Sequence, residues 1–212
     1  MINQLSSTCY EWNGGNFDVT FLEEGVPPKE RFIPSEFQSI PKPAIAPQST
    51  MQRFTREQIR PIQVMVAPIL AKWSTRFELC GSYRRGKNTV KDMDYVVECS
   101  KETFLNIRTK LSEAGIDFHR GATEIMNGRV GDIGIDFFRA DPASYITILI
   151  WRTGSARHNI YCASIAKKKG MKILRTGLRM RDGTVFNPRT EKEFYMALGI
   201  RFRLPCERDM AW

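Results

Sequence analysis

The sequence predicts an α+β protein, on three observations. Helix caps followed by apolar residues three and four apart recur along the chain, short β-branched or aromatic runs stand between them, and both patterns begin only after the first quarter. That first quarter, residues 1–52, holds Pro27, Pro28, Pro34, Pro41, Pro43 and Pro47 and has no sustained period. It also carries Tyr10, Trp12, Phe17, Phe21, Phe32 and Phe37, too many aromatics for a simple linker, so an irregular or short-stranded extension docked on the main domain is expected.

Regular structure should start at Thr55-Arg-Glu-Gln58, a capping box. Ile59, Ile62, Val66, Ile69 and Trp73 follow on one helical face, and Pro61 and Pro68 inside the run predict a kink or a split. Arg76–Cys80 reads as a short strand ending at Gly81-Ser82, and Asp92–Cys99 as a second strand centred on Val96 and Val97. Ser100–Ala114 reads as a helix with Phe104, Ile107 and Leu111 inward and Gly115 as its stop. Asn127-Gly128 is a hairpin turn signal that should feed a strand over Arg129–Phe138. Ser155 caps a helix closed by Lys167-Lys168-Lys169 and Gly170, and Thr190-Glu-Lys-Glu193 opens a short one that reaches Leu198, with Gly199 beyond.

Length allows one sizeable core, or one core with a small appendage, and 42% hydrophobic with 26% charged residues excludes collagen, a coiled-coil rod and wholesale disorder. The longest apolar stretch, Tyr145–Trp151, falls far short of the roughly 20 residues that span a bilayer. No secretory signal is visible at the N-terminus, so an intracellular protein without a membrane partner is expected. Five cysteines without a CxxC pair, with two histidines in all, exclude a Cys/His zinc site. The net charge of +9 is uneven: 3 basic against 6 acidic residues over 1–50, 15 against 12 over 51–150, and 14 against 5 over 151–212. The basic last third suits either a polyanionic partner or a solvated face.

Three acidic residues carry the chemistry. Asp92 and Asp94 stand two apart on one predicted strand, so their side chains share a face, and hard divalent cations are the usual counter-charge for such a pair. Asp136 interrupts the apolar run Ile133-Gly-Ile-Asp-Phe-Phe138, where a carboxylate is costly unless paired or metal-bound. Upstream, Gly81-Ser82 ends a strand and Tyr83-Arg84-Arg85-Gly86-Lys87 follows. Backbone N–H groups, a hydroxyl and permanent charge are there offered to phosphate beside the acids. Such an arrangement is what two-metal phosphoryl transfer requires.

GSYRRGK followed by DMD closely resembles the nucleotidyltransferase signature of family X DNA polymerases, the polymerase-beta-like nucleotidyltransferases. TREQIRPIQVMV, IGIDFF, WRTGSARHN and TEKEFYMALGI…LPCERD resemble further segments of that family in the same order, over residues 53–212. The resemblance implies a palm with a mixed or antiparallel sheet flanked by helices (53–142) and a small C-terminal α+β subdomain that binds nucleotide and DNA (143–212). Asp92, Asp94 and Asp136 would be the catalytic carboxylates and the ligands of two Mg2+ ions, with Mn2+ an alternative. Gly81, Ser82 and Arg85 would hold the β- and γ-phosphates. Trp151, Arg152 and Gly154 would lie beneath the sugar, Ala156 against the base, and Asn159 at its minor-groove edge. No lyase domain is legible in residues 1–52, so the chain resembles the minimal, small viral members, which leaves a viral origin open. DNA grip then falls to Lys167, Lys168, Lys169, Lys172, Arg175, Arg179 and Arg181.

The implied activity is magnesium-dependent addition of deoxynucleotides to a DNA 3′-hydroxyl by a monomer, on a primer-template or gapped duplex, as short gap-filling in repair. Three positions depart from the family pattern. Trp151-Arg152 replaces a Tyr-Phe pair that sorts ribose from deoxyribose, Ala163 replaces an arginine on the templating strand, and Gly134 replaces a basic residue. These keep untemplated terminal addition, or ribonucleotide transfer to RNA, as the alternative. His119 and His158 are read as ordinary structural histidines, with a contact to the nucleotide as the alternative for each.

Overall fold

The computed structural model describes residues 52–209, together with the backbone of two antiparallel strands nearer the N-terminus, β1 (Cys9–Asn13) and β2 (Asn16–Thr20). The expected extension is short-stranded where it is described, as β1 and β2, and β1 contacts the later strand at Lys172–Leu174; the rest of residues 1–51 lies outside the described residues. From there β3 (Phe54–Thr55) leads into α1 (Arg56–Trp73), β4 (Arg76–Leu79), the single turn α2 (Gly81–Arg84), β5 (Thr89–Val90) and β6 (Asp92–Glu98). Next come α3 (Lys101–Glu113), β7 (Asp117–Gly121), β8 (Ile125–Val130) and β9 (Ile133–Ala140). The chain closes with α4 (Tyr145–Thr153), α5 (Ala156–Lys168), β10 (Lys172–Leu174), β11 (Gly177–Arg179), β12 (Val185–Phe186) and α6 (Glu191–Leu198).

Five strands form one mixed sheet in the order β4-β6-β9-β8-β7, parallel only between β6 and β9. The fold is therefore α+β, as the sequence predicts. The four caps lie where their side chains placed them: Thr55, Ser100, Ser155 and Thr190 each accept from the backbone N–H three residues on.

One expectation is narrowed and one corrected. Helix α1 does not split. Pro61 and Pro68 are seven residues apart on its exposed face. The carbonyls they orphan belong to Glu57 and Val64, which are exposed too, so the missing N–H groups leave no carbonyl cut off from solvent. Asn127-Gly128 is not a turn either: both lie within β8, opposite Asp136 and Ile135. Gly131 (φ +57°) and Asp132 make the turn instead. Gly128 is needed for contact, because a Cβ there would stand 2.9 Å from Ile116 Cγ2 and 3.0 Å from the Asp117 carbonyl oxygen.

The period of two splits each central strand between two cores. Met93, Tyr95 and Val97 of β6 and Ile133, Ile135 and Phe137 of β9 face α1 and α3, packing with Ile59, Val66, Leu70, Phe104, Ile107 and Leu111. On the other face Val96, Phe138 and Ala140 join Leu149, Ile150, Cys162, Phe194, Tyr195 and Leu198. The described residues from 143 to 209 thus share their core with the sheet. Asp92, Asp94 and Asp136 belong to that second face but lie toward the N-terminal ends of the strands, before the apolar cover begins. The uncovered end is the site.

Candidate active site

Parallel pairing of β6 and β9 puts Asp94 in register with Asp136, and Asp92 with Gly134. Three carboxylates therefore project from one face across two neighbouring strands. Burial, then repulsion from Asp92 and Asp136, pushes the Asp94 carboxyl well above the usual carboxylate range, with Arg152 and Arg85 opposing. Burial also raises Asp136, against a hydrogen bond from Asn127 Nδ2 to its Oδ1 at 2.8 Å.

The expected phosphate cradle meets the carboxylates at Gly81. Its φ of +58° suits glycine, and a Cβ there would lie 2.5 Å from Asp94 Oδ2. The two motif arginines then part. Arg84 turns into the protein, where its guanidinium donates to both carboxylate oxygens of Glu191 and to Thr153 Oγ1. Arg85 stays at the site, held by both Asp209 oxygens through Nε and by the Thr153 carbonyl at 2.6 Å through Nη1. Gly154 (φ +65°) caps α4 beside it, and a Cβ there would come within 3.4 Å of Arg85 Nη1. The strand motif and the helix motif interlock through glycine at both contacts.

A cavity of about 870 Å³ collects these groups. Its lining includes Asp92, Asp94 and Asp136, Gly81, Ser82 and Arg85, and Trp151, Arg152, Gly154, Ala156 and Asn159, so the structure brings all eleven expected catalytic and nucleotide-binding residues together. Arg152 lies over the Phe138 ring, 3.6 Å from its centroid. Asn159 lines the cavity with an amide already engaged by the protein: Nδ2 donates to the Trp151 carbonyl at 2.8 Å, and Oδ1 meets His158 Nδ1 at 3.0 Å.

None of the seven expected DNA-gripping residues lines this cavity. Lys167, Lys168 and Lys169 are exposed at the end of α5, Lys172 and Arg179 pair across β10 and β11, and Arg181 packs against Gly170. Six of the seven gather at that end of α5. Arg175 is the exception, bound to Glu124 at 2.7 Å and to the Arg139 carbonyl. Its guanidinium is engaged within the protein, on a carboxylate that it shares with Arg139 and Lys101.

Some site residues had no signal in the sequence. Asn127 becomes a partner of Asp136 only through the β8–β9 register. Lys91 and Arg120 line the cavity too, and with His119 they line a second one of about 500 Å³ that also shares Asp92, Asn127 and Asp136 with the first. His119 is thus exposed at the site, whereas His158 is fully buried.

Oxygen donors on a buried, mutually repelling carboxylate set suit a hard divalent ion, which would relieve the strain on Asp94 and Asp136. Among the described residues no three His, Cys, Asp or Glu side chains are already grouped closely enough to enclose one.

Residues 148–209 match the DNA polymerase beta thumb family. The chain is 28% identical over 143 residues to the DNA polymerase/3′-5′ exonuclease PolX of Bacillus subtilis, covering 63% of this chain and 24% of that protein. It is 25% identical over 191 residues to DNA polymerase lambda of Rattus norvegicus, covering 75% of this chain and 33% of that protein. The chain is related to the family X DNA polymerases. It spans about a quarter to a third of the length of these curated relatives. No helix among the described residues is long and apolar enough to cross a membrane.

Proposed function

We propose that the chain is a DNA-directed family X polymerase that adds deoxynucleotides to a DNA 3′-hydroxyl, suited to short gap-filling. The observation that carries this reading is the single cavity in which the carboxylate trio, the Gly-Ser-Arg cradle and the α4–α5 floor meet. Asp92, Asp94 and Asp136 would hold two magnesium ions, or manganese, which when bound lower the hydroxyl pKa and offset the charge developing on phosphorus. The cradle of Gly81, Ser82 and Arg85 would hold the β- and γ-phosphates, with Arg85 kept in place by Asp209. The 3′-oxygen attacks the α-phosphorus, and the bond to pyrophosphate breaks. Asn127 occupies Oδ1 of Asp136, which leaves Oδ2 to take the hydroxyl proton. Lys167–Lys169, Lys172, Arg179 and Arg181 would bind backbone phosphates, so DNA affinity should fall steeply with salt.

A second reading is untemplated addition. Ala163, at the position where the family places an arginine on the templating strand, packs against the second core and has no charge to offer a template.

Primer extension with four deoxynucleotides and magnesium separates the two, comparing a one-nucleotide gap with the same primer single-stranded and using Asp136→Ala as the blank. Templated extension on the gap alone supports the first reading, and extension of the bare primer supports the second. No extension on either, with the protein folded, would overturn both.

A further inference from the structure

A buried polar chain runs from the C-terminal helix to the floor of the cavity. Tyr195 on α6 and His158 on α5 are both 0% exposed, and Asn159 is 3% exposed. The Asn159 nitrogen faces the Trp151 carbonyl at 2.8 Å, so its oxygen is the atom facing His158 Nδ1 at 3.0 Å. That nitrogen must then carry the proton, because an amide oxygen only accepts. Nε2 is left as a lone pair and accepts from the Tyr195 hydroxyl at 2.5 Å, with Cys162 Sγ at 3.5 Å. Each bond fixes the direction of the next: Tyr195 O–H to His158, His158 N–H to Asn159, Asn159 N–H to the Trp151 carbonyl.

We propose that His158 and Tyr195 are positioning residues that lock the Asn159 amide with its oxygen inward, so that Asn159 offers the cavity only its second N–H. The inference rests on the polymerase reading of the cavity. A fixed donor there recognises an acceptor on the nucleotide. The minor-groove edges of adenine and thymine present N3 and O2 acceptors in the same place, so such a donor would test base-pair shape without choosing between them. If the amide were free to flip, its oxygen would meet those acceptors with repulsion. An apolar side chain at 158 would fill the same space and leave Asn159 without that constraint, so the histidine has a role that packing alone does not supply.

The test compares binding of dATP with 3-deaza-dATP, which lacks the N3 acceptor, followed by Trp151 fluorescence with no acceptor strand present so that nothing turns over. Wild type should prefer dATP by about tenfold, the weight of one hydrogen bond. In His158→Phe the preference should fall toward one. Tyr195→Phe should lie between, because loss of the hydroxyl donor lets the imidazole proton move to Nε2. In extension assays KM for dATP should rise while kcat stays within about threefold, as expected when the lost contact is equal in ground and transition states. The proposal is overturned if wild type shows no preference, or if folded variants keep the wild-type ratio; should His158→Phe fail to fold, Tyr195→Phe decides. A wild type that binds no nucleotide removes the polymerase reading itself, and this inference with it.

Discussion

The backbone of Gly81 and the carboxylate of Asp94 are packed so closely that a Cβ on residue 81 would stand 2.5 Å from Asp94 Oδ2. The contact joins the phosphate cradle to the acidic strand, and it makes a methyl group at position 81 a displacement of the carboxylate. Gly81→Ala should therefore lower kcat by about 100-fold, as expected for a misplacement near 1 Å. The left-handed backbone should add about 1–2 kcal/mol of destabilisation. Steady-state extension kinetics and urea unfolding check the two parts. Activity near wild type would mean that Asp94 tolerates being moved.

Asn127 holds Asp136 from the neighbouring strand, with Nδ2 donating to Oδ1 at 2.8 Å. Asn127→Ala removes that tether without altering any carboxylate. By analogy with residues that orient metal ligands, kcat should fall about tenfold or more. Circular dichroism should be unchanged, since β8 keeps its backbone pairing. Asn127→Asp should be worse than Ala, because it adds a fourth negative charge to a group that already repels itself. Equal activity in wild type and Asn127→Ala would make the hydrogen bond incidental.

What the sequence made legible was local. Thr55, Ser100, Ser155 and Thr190 announce helix starts because the cap and the N–H it satisfies are three residues apart. The eleven residues expected to be catalytic or nucleotide-binding lie in short motifs, and the fold gathers them in one cavity. What was not legible depended on distant partners. Asn127-Gly128 carries the chemistry of a turn, yet pairing with β9 and the close approach of Ile116 keep it in a strand. Nothing local says that Pro61 and Pro68 both face water. The resemblance singled out Arg85 over its neighbour Arg84, but the physical reason lies far along the chain: Glu191, 107 residues from Arg84, and Asp209, 124 from Arg85, part the two. Nothing local says that Arg175, one of the expected phosphate contacts, has Glu124 beside it.

Glu191 links the cradle turn to the C-terminus. Its two oxygens are shared between Arg84 and Arg208, whose side chain is fully buried. Burial alone would raise the Glu191 carboxyl, but Arg84 and Arg208 together hold it below the usual carboxylate range. Glu191→Ala strands two cations, one of them without access to water, and should cost about 3–5 kcal/mol. The exposed Lys110–Glu113 pair provides the contrast: Glu113→Ala should stay within about 0.5 kcal/mol. Urea unfolding of the two variants measures both, and similar losses would mean that burial of the Arg84–Glu191–Arg208 group is unimportant.

Burial pushes the His158 imidazole down to about 4, with the Asn159 hydrogen bond opposing, nearby Arg208 and Arg203 adding to the fall, and Glu191 countering it. The group is neutral in the fold and titrates at its ordinary value in the unfolded chain. Its contribution is therefore complete above about pH 6.5 and is lost as pH falls toward 4. Between pH 7.5 and 5.5 this linkage should remove about 1–2 kcal/mol of unfolding free energy. Asp94 titrates with the opposite sign, because its folded-state pKa is raised, so its contribution grows as pH falls. That opposing effect is common to wild type and to His158→Phe. The difference between their stability-pH slopes over this window therefore isolates the histidine, and the variant should lose less stability on acidification. Parallel slopes would show that His158 takes up its proton without disturbing the chain of bonds to Tyr195 and Asn159.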